Sequence, residues 1–265
     1  MSDLVRFEFR RLLRRTSLYV CFGISMLFVV SVLQSVIQSY VYGVNSSFMS
    51  IVRQMISVAN LPSIVTIFTS IFICEDMARG TVKTIYSLGY PRWQIFSARF
   101  LASSAAAAAM YVIVVLIGLI TGLIFQSTAV DDDPASFAAV YIVWQFTILM
   151  ALHAFYFLIA EMTQKTGISI VLGIFGTSIV SIGFNMLFAL CSGLAYKNIP
   201  LSEAIDHISS VFNMYWLPTL ATMFINLFGL SDGINYLASI LVNIGYVLLF
   251  GGLALLITCK KEIKN

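Results

Sequence analysis

The chain has 265 residues, 60% of them hydrophobic and 10% charged, with a net charge of +3 and a mean hydropathy of +0.95. Soluble domains run about 45–50% apolar and about 25% charged, so this composition excludes a soluble globular protein and leaves little material for a separate domain outside a bilayer. Nucleic-acid binding finds no support, because the basic residues flank apolar runs and read as membrane anchoring.

The first element is DLVRFEFRRLLRR, residues 3–15. Val5, Phe9, Leu12 and Leu13 fall on one helical face and Arg6, Arg10 and Arg14 on another, with Phe7 out of place. Residues 1–17 are therefore expected to form an interfacial helix, apolar side down and arginines toward anionic membrane lipid. The apolar run at 18–37 is too long for a signal-peptide core and no small-residue cleavage site follows it, so it reads as an uncleaved first span.

Stretches of roughly 20 mostly apolar residues place six spans, at 18–38, 57–75, 97–125, 137–160, 167–191 and 234–258. Orientation follows from Lys and Arg. With both termini in the cytoplasm, the inner segments hold Arg6, Arg10, Arg11, Arg14, Arg15, Arg79, Lys83, Arg92, Arg99, Lys165, Lys260, Lys261 and Lys264, and the outer ones only Arg53 and Lys197. Residues 208–230 carry no charge and are long enough to span. A seventh span would carry the lysine-rich tail outside. Asn213, Pro218, Asn226 and Gly229 instead favour a re-entrant or interfacial helix pair in the outer loop 192–233. The expected fold is thus an all-α, single-domain membrane protein.

Between the second and third spans comes EDMARGTVKTIYSLGYPRWQIFSARF, residues 75–100. Gly80 breaks the helix, residues 81–88 supply two helical turns, Gly89 suits a helix stop and Pro91 the start of the next. From Pro91 to Phe125 the third helix reaches ~50 Å, more than the ~30 Å bilayer core, so it projects below the membrane or tilts. Trp93 and Arg99 suit an interfacial zone. A short cross-helix joined to two spans is a docking knob for a partner that would move both.

This stretch resembles the segment after the second span in type-2 ABC exporter permeases, at Glu75, Gly80, Thr81, Lys83, Ser87, Gly89, Pro91 and Arg92. Tyr90 departs from the smaller residue common there. The resemblance covers the whole chain in architecture and about 25 residues in motif. It implies a permease dimer, with itself or a related permease, carrying two copies of a separate ATPase. The short helix would be the coupling helix, with Glu75, Arg79, Gly80, Thr81, Lys83, Thr84, Ser87, Gly89 and Arg92 meeting the ATPase. The chain contains no G-x-x-x-x-G-K-[ST] loop, so ATP and magnesium are expected in the partner and no cofactor in this chain. The resemblance also implies a bacterial plasma membrane.

Ser31, Gln34, Ser35 and Gln38 form a polar stripe in the first span, and Asn60, Ser63, Thr66 and Ser70 nearly do so in the second. A translocation path and simple interhelical hydrogen bonding explain them equally well. The alanines at 105–109 and Gly173, Gly176 and Gly183 read as close helix packing. His153 reads as a neutral histidine bonded to a neighbouring helix, and Glu161 as part of the cytoplasmic rim beside Lys165. Cys21, Cys74, Cys191 and Cys259 have no metal-ligand spacing. A proton-coupled secondary transporter is the main alternative to an exporter, with His153 its only deep ionisable group. A membrane enzyme would need a His/Glu cluster, a G-x-S-x-G or paired aspartates. By resemblance the cargo is an amphipathic peptide such as a bacteriocin, with drugs or sodium ions as alternatives.

Overall fold

A computed structural model describes residues 2–43, 47–58, 61–125, 135–194, 208 and 236–260, and among these no strand occurs. The helices are α1 (Ser2–Leu13), α2 (Thr16–Val41), α3 (Phe48–Val58), α4 (Leu61–Ala78), α5 (Thr81–Ser87), α6 (Arg92–Phe125), α7 (Ala135–Thr163), α8 (Thr166–Leu194) and α9 (Tyr236–Lys260). Among the described residues, five segments are long and apolar enough to cross a membrane: Thr16–Val41, Phe48–Ala78, Arg92–Phe125, Ala138–Thr163 and Tyr236–Lys260. The expected fifth span coincides with α8, a helix of 29 residues. The expected re-entrant pair lies outside the described residues, apart from Ile208.

The second span departs from the expectation of 57–75. Residues 48–58 are helical too, and Met49, Ile51, Val52, Met55 and Ile56 are almost wholly buried. Arg53 and Gln54 interrupt the apolar run, but they sit off the face that packs, so the helix is amphipathic rather than uniformly apolar. Glycines on α6 admit it: a Cβ at Gly118 would lie 3.1 Å from Met55, and one at Gly122 2.9 Å from Phe48. Arg53, expected in an outer segment from the order of the spans, lies over the Tyr141 ring at 5.8 Å.

The central layer is α4 against α6 and α7. Phe68 and Phe72 of α4, Ala102 and Met110 of α6, and Leu152 and Phe157 of α7 are buried together. Phe100, Phe157 and His153 form an aromatic cluster, with Phe100 5.2 Å from Phe157 and 5.6 Å from His153.

Cross-helix contacts give each helix a direction. Ser70 meets Ser169 at 2.8 Å, and Thr66 faces Gly173, so α8 runs antiparallel to α4. The Trp144 indole N–H donates to Ser239 Oγ at 2.8 Å, and Phe155 stacks edge-on to Phe250 at 5.1 Å, so α9 runs parallel to α7. The start of α6 and the ends of α4, α7 and α9 share one end of the bundle with α1, through the contacts described next. Helix α8 leaves that end and α9 returns to it.

Candidate functional site

The cross-helix expected at 81–88 is α5, Thr81–Ser87. Two glycines in left-handed backbone bracket it, Gly80 at φ +68° and Gly89 at φ +88°. Such angles cost L-residues about 1–2 kcal/mol but cost glycine nothing comparable. The two turns are set off as a separate rod between α4 and α6. Ile85 is its buried anchor, packed with Leu4 of α1 and Ile95 and Ala98 of α6, while Val82 and Tyr90 lie alongside. Lys83, Thr84, Tyr86, Ser87, Leu88 and Gly89 are exposed. Thr81 is half-buried.

Arg92 joins this segment to the other end of the chain. Its guanidinium lies over the Tyr86 ring at 5.3 Å, and Nη1 donates to the Cys259 carbonyl at 2.9 Å. That carbonyl belongs to the last turn of α9, where orphan acceptors and the negative end of the helix dipole favour a cation.

Beneath α5 lies a buried ionic network. Asp76, wholly buried at the end of α4, accepts hydrogen bonds from Arg11 and Arg15 and lies 3.5 Å from Nε of Arg99. Arg15 also donates to Glu75 Oε2 at 2.8 Å, and Arg79 stands 3.7 Å from the same oxygen at the exposed edge. Arg99 donates to Glu161 Oε1 at 2.9 Å and to the Ile73 carbonyl at 3.2 Å. Glu8 lies beside Arg11, and two guanidiniums lie over Phe72, at 5.5 Å for Arg11 of α1 and 5.1 Å for Arg15 at the start of α2. Burial pushes the Glu8 carboxyl above its ordinary range; Arg11 opposes this and the Asp76 carboxylate adds to it. Burial likewise lowers Arg11, against the pull of Asp76 and Glu8.

The network revises three sequence expectations. Glu161 is not on a solvent rim but fully buried against Arg99. Arg99 is not interfacial but a buried hub, whereas Trp93 is half-exposed as expected. Helix α1 is more than a surface anchor. Arg6 and Arg10 on it, and Arg14 just past it, are exposed as expected, but it turns Leu4, Glu8 and Leu12 into the protein. A third set, Glu8, Arg11 and Arg15, was present in the sequence at i, i+3, i+7 spacing, and its two arginines complement the acidic pair Glu75–Asp76.

The polar stripes divide. Ser31, Gln34 and Gln38 of α2 are exposed, and Ser35 is half-buried and accepts from Gln54 Nε2 at 3.2 Å. Thr66 is buried with its hydroxyl on the Pro62 carbonyl, Ser63 is half-buried, and Asn60 lies outside the described residues. His153 lies between Thr69 Oγ1 at 3.1 Å and Ser103 Oγ at 3.2 Å. Among the described residues no group of His, Cys, Asp or Glu is placed to hold a metal.

The family model described as ABC-2 family transporter protein matches residues 4–192, more than half of the chain. The match takes in α1 from its third residue, the cross-helix and every residue of the ionic network. No curated protein matches the chain.

Proposed function

The chain belongs to the ABC-2 transporter family, a multi-pass membrane protein, and from that membership we propose that it is the membrane-spanning permease of an ATP-driven exporter. ATP and magnesium are held by a separate ATPase, and α5 is the coupling helix that ATPase grips. The observation that carries this reading is the construction of α5: a two-turn rod between left-handed glycines, backed by Ile85 on α1 and α6, with Lys83, Thr84, Ser87 and Leu88 turned outward. Movement of α5 would pass to α4 and α6 through the ionic network below it.

The working unit is a dimer of this chain. Gln34 and Gln38 are exposed in a span, and polar side chains in spans face protein or water rather than lipid. A second copy across α2 would enclose them with Ser31 in a path suited to amphipathic peptides. The charged end faces the cytoplasm by the positive-inside rule. The proton-coupled alternative draws no support from His153, whose ring nitrogens meet hydroxyls.

Co-purification tests the proposal. The full chain, extracted gently from native membranes, should carry a P-loop ATPase at stoichiometric amounts. The ATPase should be lost when residues 80–92 are scrambled, and Lys83→Glu should abolish cargo-stimulated hydrolysis without preventing insertion. A preparation with no ATPase would sink the exporter reading.

A further inference from the structure

A groove of about 360 Å³ opens between α1, the start of α2 and the middle of α6. Its walls include Phe9, Leu12 and Leu13 of α1, Leu18 of α2, and Ala106 and Ala109 of α6. The volume falls in the range of small-ligand pockets, about 300–1,000 Å³. The alanines make the room, since longer side chains at these positions would fill it. Tyr19 closes the α1–α2 corner by donating its hydroxyl to the Leu13 carbonyl at 2.7 Å. Leu13, Tyr19 and Val20 are all more than half exposed, so the groove opens where α2 presents apolar surface outward.

Helix α1 divides the surroundings by charge. At 100° per residue, Arg6 and Arg10 centre roughly 90° around from the Phe9–Leu12–Leu13 stripe, on the flank of the groove, and the exposed Arg14 follows just past the end of the helix. Glu8 and Arg11 lie on the opposite flank and are taken up, with Arg15, in the ionic network. Arg6, Arg10 and Arg14 are exposed and make no ion pair among the described residues. An apolar slot bordered by three outward cations complements one chemistry, an aliphatic tail on an anionic head.

We propose that this groove holds an acyl chain of an anionic phospholipid, with the headgroup held by Arg6, Arg10 and Arg14. A peptide would leave its backbone amides without partners, because among the described residues Tyr19 is the one lining residue with a polar side-chain N or O atom, and a cationic peptide would meet the arginines as like charges. The proposal does not rest on the exporter reading.

The test uses the full chain in lipid nanodiscs without any ATPase. Two photoactivatable probes carry the same diazirine-tailed acyl chain, one on phosphatidylglycerol and one on phosphatidylcholine. Labelling should concentrate on the peptide spanning 105–113 and favour phosphatidylglycerol. Arg10→Gln and Arg14→Gln should each lower phosphatidylglycerol labelling roughly fivefold, the ratio implied by about 1 kcal/mol per surface cation, leaving phosphatidylcholine unchanged. Ala109→Leu, at an exposed position, should reduce labelling by both probes. Equal labelling by the two lipids, labels spread evenly along the spans, or a diazirine-bearing amphipathic peptide that labels 105–113 without competition from phosphatidylglycerol would each overturn the proposal. The arginine variants lie on an exposed face and keep the test valid if Ala109→Leu disturbs folding.

Discussion

Arg99 on α6 and Glu161 on α7 pair at 2.9 Å with side-chain exposures of 1% and 0%. Removing one member of a buried pair strands a charge and costs about 3–5 kcal/mol, whereas replacing both with apolar residues is often neutral. Arg99→Met and Glu161→Leu should therefore each lower thermal stability in detergent severely. The double variant should be more stable than Glu161→Leu alone. Additive losses in a double-mutant cycle would mean that the two residues act independently.

Asp76 and Glu75 are neighbours in sequence but not in consequence. Asp76 is fully buried among Arg11, Arg15 and Arg99, while the Glu75 side chain is 38% exposed. Asp76→Asn should cost on the order of 3–5 kcal/mol, and Glu75→Gln less than about 1 kcal/mol, as for exposed pairs. Unfolding midpoints of the two variants under the same detergent decide the matter.

Glu8 should give stability an unusual pH slope. Its folded carboxyl is raised above the ordinary value of 4.5 by burial. Its contribution is fully present below that ordinary value and is lost as pH rises through the higher folded value. Glu8→Gln should remove that loss. The stability difference between wild type and variant should then grow in favour of the variant as pH rises from 4 toward neutrality, each midpoint being compared at matched pH. A constant difference would refute the assignment.

Gly80 is required for its backbone and not for space. It sits at φ +68° with nothing within 4 Å of where a Cβ would be. Gly80→Val should cost about 1–2 kcal/mol locally and displace α5, with loss of coupled ATP hydrolysis. Gly80→Asn should retain most of it, because asparagine tolerates the left-handed region. Hydrolysis rates in proteoliposomes with the ATPase present separate the two.

Gly173 is required for space. A Cβ there would come within 2.3 Å of Thr66 Cγ2. Gly173→Ala should destabilise by about 1–3 kcal/mol, the usual cost of overpacking, and Thr66→Ser should rescue much of it. Gly176→Ala, with nothing within 4 Å, should be nearly neutral. Equal effects at 173 and 176 would show that the α4–α8 contact does not depend on the missing methyl.

What the sequence displayed is what repeats along a single helix. The apolar runs of α2, α6, α7, α8 and α9, and the glycines bounding α5, are local signals, and all were legible. The buried cluster was not, because its pairs bridge separations such as Arg11 to Asp76 and Arg99 to Glu161. Each charge taken alone looked like a rim residue, and only tertiary contact revealed complementary partners. Helix α3 was missed for a different reason: Arg53 and Gln54 lowered its average hydropathy while leaving one face apolar. Gly173 was read correctly as a packing glycine, yet Gly176 and Gly183 have nothing within 4 Å. Spacing cannot say which small residue meets a neighbour.

Helix α6 runs unbroken for 34 residues, about 51 Å at 1.5 Å per residue. A rod of that length turns angle into distance. If it pivots near its middle, where Ala102 and Ala107 are clamped in the core, a tilt of about 5° moves each tip by roughly 2 Å. One tip carries Arg92 and its bond to the Cys259 carbonyl. The other ends in Phe125, edge-on to Tyr40 of α2 at 5.6 Å. A small rocking at the charged end would thus be geared to the far end of α2, within a turn of Gln38, without any helix having to bend.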